Sequence, residues 1–202
     1  MVTIINYGMG NIGSLENMLN RLGSEVNIAA SSSDFDKTSK LILPGVGHFD
    51  HAMANLQALD LIDVLNYKVI KEKIPILCIC LGAQLIMEKS EEGTKPGLGW
   101  VEGKVIRFHF SKENKLRIPH MGWNTVNVKR EAPLFMNIEA PRFYFVHSYH
   151  LICTNQDDIM ATSVYGYEFV AGVQHDNIYA TQFHPEKSHK FGMQLIKNFL
   201  EI

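Results

Sequence analysis

Cysteine is scarce in this sequence: Cys78, Cys80 and Cys153 are the only three in 202 residues. Two of them stand two positions apart, so there is no disulfide framework, and a reduced, cytoplasmic chain is expected. An excess of either charge is also lacking. Nineteen Lys and Arg face 21 Asp and Glu, a formal net charge of -2, which excludes the basic surplus that non-specific nucleic-acid binding needs. No cationic residue precedes Arg21, so the opening residues do not read as a secretory signal. The longest apolar run, Pro75 to Met87, is too short for a bilayer and is interrupted by Gly82 and Gln84. Apolar residues make up 46% and charged residues 20%, which removes the disordered and fibrous classes. One globular domain over residues 1–202 is the expectation.

What is present begins as alternation. Val2–Ile5 reads as a buried strand, Gly8–Gly10 as its turn, and Ile12, Leu15, Met18, Leu19 and Leu22 as one face of a helix stopped by Gly23. Val26–Ala30, Leu41–Leu43 and Ile74–Ile79 are further strands, the last an unbroken apolar run of the kind buried on both faces. Leu61, Leu65 and Val69 mark a helix before Pro75. Such repetition predicts an α/β fold, a mostly parallel sheet with helices on both faces. From Trp100 onward strands dominate: Val101–Phe108, Trp123–Val128, Phe143–His147, Met160–Val164, Val170–Gln174 and Ile178–Phe183. His175-Asp176-Asn177 predicts a hairpin between the last two. Phe191 to Leu200 returns to helical spacing, and this half is expected to extend the same sheet as an antiparallel addition.

Four segments carry candidate chemistry. Gly8-Met9-Gly10-Asn11-Ile12-Gly13 spells the dinucleotide fingerprint between a strand and a helix, with Asp34 near the distance of a ribose-binding acid. A tight strand-to-helix turn accounts for the same glycines. Pro44-Gly45-Val46-Gly47 follows a strand, and its glycines free the Val46 peptide to aim an N–H at a ligand, as an oxyanion hole requires. A plain Pro-Gly turn is the simpler account of that segment alone. In Ile76–Gln84 a buried strand ends at Cys80 and a helix starts at once, the strand-turn-helix grammar of a nucleophile elbow. Cys80 at a helix N-terminus is favoured as thiolate, whereas Cys78 and Cys153 read as small buried apolar residues. Lastly, His184 and Glu186 stand two apart after a strand, so the carboxylate can orient the imidazole as a base for a thiol. The sequence lacks paired C-x-x-C ligand motifs, so a zinc site is not favoured.

Taken together, these residues resemble the class I (triad) glutamine amidotransferases. The likeness is carried by Cys80-Leu81-Gly82-x-Gln84 and His184-Pro185-Glu186. Within the family, Tyr7–Asn11, Pro44–Gly47, Pro119–Asn124, Tyr144–Tyr149 and Gln182–Ser188 are most similar to glutaminase subunits of imidazole glycerol phosphate synthases. Asn6 and Cys78 depart from the Asp and Gly common there. The resemblance implies a flavodoxin-like fold and hydrolysis of glutamine to glutamate and ammonia, with Cys80, His184 and Glu186 as the triad. It implies oxyanion donors at Val46 and Leu81. Substrate contacts would come from Gly45, Gly47, Gln84 and the Ser148, Tyr149 and His150 stretch. No metal or organic cofactor is implied, and the Gly8–Gly13 turn would bind no dinucleotide. The ammonia would pass to a separate chain, a barrel-shaped (β/α)8 cyclase of histidine biosynthesis, with Asn11, Trp123, Tyr144 and Lys187 near the contact. A synthase that amidates a sugar is the alternative partner. The glycines around Val46 further predict that the isolated chain holds this donor turned away.

Overall fold

The computed structural model describes residues 1–111 and 116–202. Four short strands form the parallel heart: Val2–Ile5 (β1), Val26–Ala29 (β2), Lys40–Leu43 (β3) and Ile76–Ile79 (β4). Alternation along each strand divides the core into two layers. Ile5, Leu41, Leu43, Ile76 and Cys78 enter one cluster, while Val2, Ile4, Ile42, Leu77 and Ile79 enter the other. Burial on both faces is why β4, Ile-Leu-Cys-Ile, is apolar throughout, whereas the edge strand β2 carries Asn27 and a half-exposed Ile28. Ile12–Arg21 (α1) closes the second layer with Leu15, Met18 and Leu19, and Gly23, at φ +73°, ends it as expected. Phe49–Ala58 (α2) and Leu61–Asn66 (α3) close the first layer.

Helix α2 is not among the expected elements, although Phe49, Ala52, Met53 and Leu56 are buried at helical spacing. Its N-cap is His48, whose ring accepts the Asp50 N–H, in place of the usual Ser, Thr or Asp. The helix expected through Val69 continues past α3 as a π-helical turn over Tyr67–Lys71, with Val69 still buried. Next come Leu81–Leu85 (α4) and the strands Lys89–Ser90 (β5), Gly103–Arg107 (β6), His120–Thr125 (β7), Asn127–Val128 (β8) and Arg142–His147 (β9). Tyr149–Cys153 (β10), Ile159–Tyr165 (β11), Tyr167–His175 (β12), Ile178–Thr181 (β13) and His189–Glu201 (α5) complete the chain.

The main sheet runs β2-β1-β3-β4-β13-β12-β10-β6-β5, with β11 on β12 and β8 on β11. Pairing is parallel from β2 through β13 and antiparallel on across β12, β10 and β6. The hairpin is present, its turn narrowed to Asp176-Asn177 because His175 pairs with Ile178.

Two expectations need correcting. The run Trp123–Val128 is not one strand, and the second half does not wholly join the main sheet. β7 pairs with β9 in a separate two-stranded ribbon, while β8 pairs with β11. Only Ser148 separates β9 from β10, so the chain crosses from ribbon to sheet within one residue, and β10 is hidden behind β9 in the sequence pattern.

Candidate active site

In an open α/β sheet, ligands gather beyond the carboxyl ends of the parallel strands. The segments that follow β3, β4 and β13 meet there by register. Leu43 pairs with Cys78 and Ile79 with Thr181, so Cys80 and Gln182 leave the sheet level with each other. The Cys80 N–H donates to the Thr181 carbonyl at 2.7 Å. Cys80 itself turns sharply, at φ 55° and ψ -105°, a region in which a non-glycine residue is strained. The strain is held because α4 starts at the next residue and packs closely on β3. A Cβ at Gly82 would lie 2.0 Å from the Leu43 carbonyl oxygen, so this position accepts no side chain. The position two before Cys80, where a small residue is expected, is Cys78, which is fully buried with its thiol pushed up by burial.

His184 follows β13, and its Nδ1 lies 2.8 Å from Glu186 Oε1 with both side chains buried. Burial alone would lower this imidazole. The negative charge of the Cys80 sulfur, with the Glu186 contact, outweighs it and holds the ring near a pKa of about 10. His184 Nε2 is buried and has no hydrogen-bond partner among the described residues. The arrangement therefore offers a thiol, a buried imidazole facing it, and a carboxylate behind the imidazole. Such a set can activate a sulfur nucleophile and return a proton to a leaving group.

A cleft of 460 Å3 opens over Cys80 and His184, lined also by Val46, Gly47, Gln84 and Lys187. Ser148 and Tyr149 line it as well. His150 does not, contrary to its expected place beside them. Its ring bonds the Tyr167 hydroxyl and lies tilted against Phe108, 4.7 Å between ring centres. Gly45 lies just behind the cleft, where a Cβ would meet Gly82 N, Tyr7 Oη and Leu81 Cβ within 2.8 Å.

Glu92, absent from the expected site residues, is a carboxylate in the cleft lining. One of its oxygens accepts the Phe49 N–H from the start of α2 at 2.9 Å. Asp50 holds the adjoining loop through the Thr94 and Lys95 N–H groups. Glu-Glu-Gly-Thr after the short strand Lys89–Ser90 is the only signal in sequence, and it is indistinguishable from an ordinary acidic turn.

The two expected oxyanion donors are not both presented in this structure. Leu81 N–H donates to the Gly45 carbonyl at 3.3 Å. A trans peptide sets its C=O and N–H in opposite directions, so the Val46 N–H points away from Leu81 and Cys80. The Tyr7 hydroxyl holds the preceding Pro44 carbonyl at 2.7 Å, which leaves the Gly45–Val46 peptide as the next unit able to rotate.

Three of the four expected contact residues cluster. Trp123 packs edge-on to Tyr144 and stacks on His189, and Lys187 Nζ sits 5.9 Å over the Tyr144 ring. Trp123 is 41% and Met121 62% exposed, two large apolar side chains on one face of β7. Asn11 stands at the start of α1 and makes no side-chain capping bond.

Comparison with known proteins agrees with this geometry. Residues 3–202 match the family model "Glutamine amidotransferase class-I". The chain is 52% identical over 202 residues to imidazole glycerol phosphate synthase subunit HisH 2 of Methanococcus maripaludis, covering all of this chain and 99% of that one. It is 47% identical to the subunit of the same name from Pseudomonas aeruginosa, with both chains fully covered. A solved glutamine amidotransferase shares the fold at TM-score 0.77 and 19% identity, over 99% of this chain and 97% of the other. A chain in the structure of PurLQS from Thermotoga maritima does so at 0.74 and 18%, over 99% and 97%. The chain belongs to the class I glutamine amidotransferase family.

Proposed function

We propose that this chain is the glutaminase subunit of an imidazole glycerol phosphate synthase. It hydrolyses L-glutamine to L-glutamate and passes the ammonia to a separate cyclase of the HisF-type (β/α)8 barrel kind. The observation that carries the chemistry is the strained Cys80 at the cleft floor with the His184–Glu186 pair acting on it. The full-length likeness to subunits named for that synthase supports the pathway.

The substrate's carboxamide carbon would meet Cys80 Sγ. His184 gives its proton to the departing ammonia, and a thioester to Cys80 remains. His184 then takes a proton from water, which attacks the thioester and releases glutamate. Glu186 holds the imidazole and balances its charge. Val46 and Leu81 N–H groups would bind the tetrahedral oxyanion once the Gly45–Val46 peptide has turned. At the other end of the cleft, the Glu92 carboxylate and Gln84 suit the α-ammonium group, and the Ser148–Tyr149 stretch lines the wall beside them.

Free ammonia is protonated at neutral pH and is then no nucleophile, so a sheltered route to the acceptor is needed. The exposed Met121 and Trp123, beside the Pro119 that lines the cleft, form the kind of apolar surface that a partner covers. Asn11, Tyr144 and Lys187 would border the same contact.

The test is genetic. Cells lacking their own glutaminase subunit receive this chain with its cognate cyclase, and histidine is withheld. Growth is expected. No growth, despite soluble protein that releases glutamate, would assign the glutaminase to another synthase, such as one that amidates a sugar.

A further inference from the structure

Around Cys80 the buried polar groups form a chain in which donor and acceptor can be assigned at every link. His147 Nδ1 lies 2.7 Å from the Tyr149 carbonyl, which only accepts, so Nδ1 carries a proton. Burial lowers His147 to about 3, the ring is neutral, and its Nε2 is an acceptor. His120 Nδ1, 3.0 Å from that Nε2, must therefore donate. His120 is also buried and neutral, lowered to about 4, and its Nε2 accepts from Asn124 Nδ2 at 3.3 Å. The sense runs one way, from the ribbon to the cleft wall.

The chain continues on the far side of that carbonyl. Gln84 Nε2 donates to the Tyr149 carbonyl at 3.2 Å and to Gln182 Oε1 at 3.3 Å. Both of its protons are spent. With Gln182 Oε1 fixed as the acceptor, Gln182 Nε2 is turned to the Cys80 sulfur at 3.8 Å. Gln182 is fully buried and is held level with Cys80 by the register of β4 and β13. An N–H aimed at sulfur favours the thiolate over the thiol.

We propose that Gln182 is a further catalytic residue, an N–H donor to the Cys80 sulfur, and that Gln84, His147 and His120 are positioning residues for its amide. This rests on the reading of Cys80 as nucleophile. His184 and Tyr7 also face that sulfur, and the Val146 carbonyl lies 3.9 Å from it as an acceptor for the thiol; all three are left unchanged in the experiment.

Iodoacetamide labelling of Cys80 is followed against pH in the full chain, as wild type, Gln182→Met and Gln182→Glu. The first variant removes the donor, while the second keeps an acceptor for Gln84 and sets a carboxylate against the sulfur. Glutamate release is measured on the same samples with the synthase partner present. Both variants are expected to raise the labelling midpoint by about one pH unit, and Gln182→Met to lower kcat about tenfold with KM changed less than about twofold. A purely structural role would reduce the folded fraction without moving the midpoint. An unmoved midpoint in Gln182→Met overturns the proposal whatever Gln182→Glu does, because a carboxylate beside the sulfur raises the midpoint by charge alone. Should neither variant fold, 15N NMR of wild-type histidines decides: Nδ1–H tautomers at His120 and His147 support the chain, and an Nε2–H tautomer at either overturns it. If stoichiometric labelling of wild-type Cys80 leaves glutamine hydrolysis intact, the nucleophile reading itself fails, and this proposal with it.

Discussion

At the scale of single residues, burial assigns different work to like side chains. Cys78 and Cys80 are both buried thiols two positions apart, yet only Cys80 leaves the sheet, takes a positive φ and faces a cleft with a basic partner. The histidines separate in the same way. His184 is lifted to about 10 between the Cys80 sulfur and the Glu186 carboxylate, against the lowering by burial, whereas His120 and His147 are pressed down to about 4 and about 3 by burial. These two depressed values set a pH dependence of stability. Below the ordinary 6.5 the unfolded chain takes up protons that the folded rings refuse, so their contribution is complete above that pH and is lost as pH falls toward 4 and 3. The slope at full effect is about 1.4 kcal/mol per pH unit for each ring. Urea denaturation at pH 7 and pH 5 is expected to show a marked fall in stability, reduced in His120→Phe. A wild-type stability that is flat across this interval would show that the rings are not held neutral.

At the scale of elements, the informative piece is the link between β3 and α2. Tyr7 anchors its start through Pro44, Glu92 receives the first N–H of α2, and the Gly45–Val46 peptide between them has its carbonyl on Leu81. The link is thus pinned at both ends and rotatable in the middle. With Val46 as the proposed oxyanion donor, this setting withholds it until the peptide turns, and removing one such donor costs about 10²–10³ in turnover. The isolated chain is therefore expected to hydrolyse glutamine slowly, and the cyclase with its substrate bound to accelerate it by at least about 10²-fold. Initial rates of glutamate formation with and without the liganded partner measure this. Full activity in the isolated chain would mean that the peptide presents its donor unaided.

Over the whole molecule, the parallel half and the strand-turn-helix at Cys80 are legible because their signals are local. Ile76–Ile79 is apolar throughout, Gly82 follows Cys80 by two, and His184 and Glu186 stand two apart. What escapes depends on pairing between distant segments. Trp123–Val128 is strand-like from end to end, but Thr125 pairs with Arg142 and Asn127 with Thr162, and no residue type announces that division. Glu92 enters the cleft because its carboxylate accepts an N–H 43 positions away. Gln182 is visible as the first letter of a motif, while its place against Cys80 follows from the register of β4 and β13. His150 shows the converse: next to two cleft residues in sequence, it is sent into an aromatic cluster by the strand it occupies. Asn6 and Cys78, departures from the family pattern, sit away from the His184–Glu186 pair, where Asn6 accepts the Gly8 N–H and Cys78 packs in the core.

The central claim is that one thiol of this chain carries glutamine hydrolysis, and glutamate release by two alanine variants tests it most directly. With the liganded synthase present, Cys80→Ala is expected to fall to background. Cys78→Ala, which trims only a buried side chain with no place in the cleft, should keep most of the wild-type rate. Equal losses in the two variants, or turnover that survives in Cys80→Ala, would contradict the assignment.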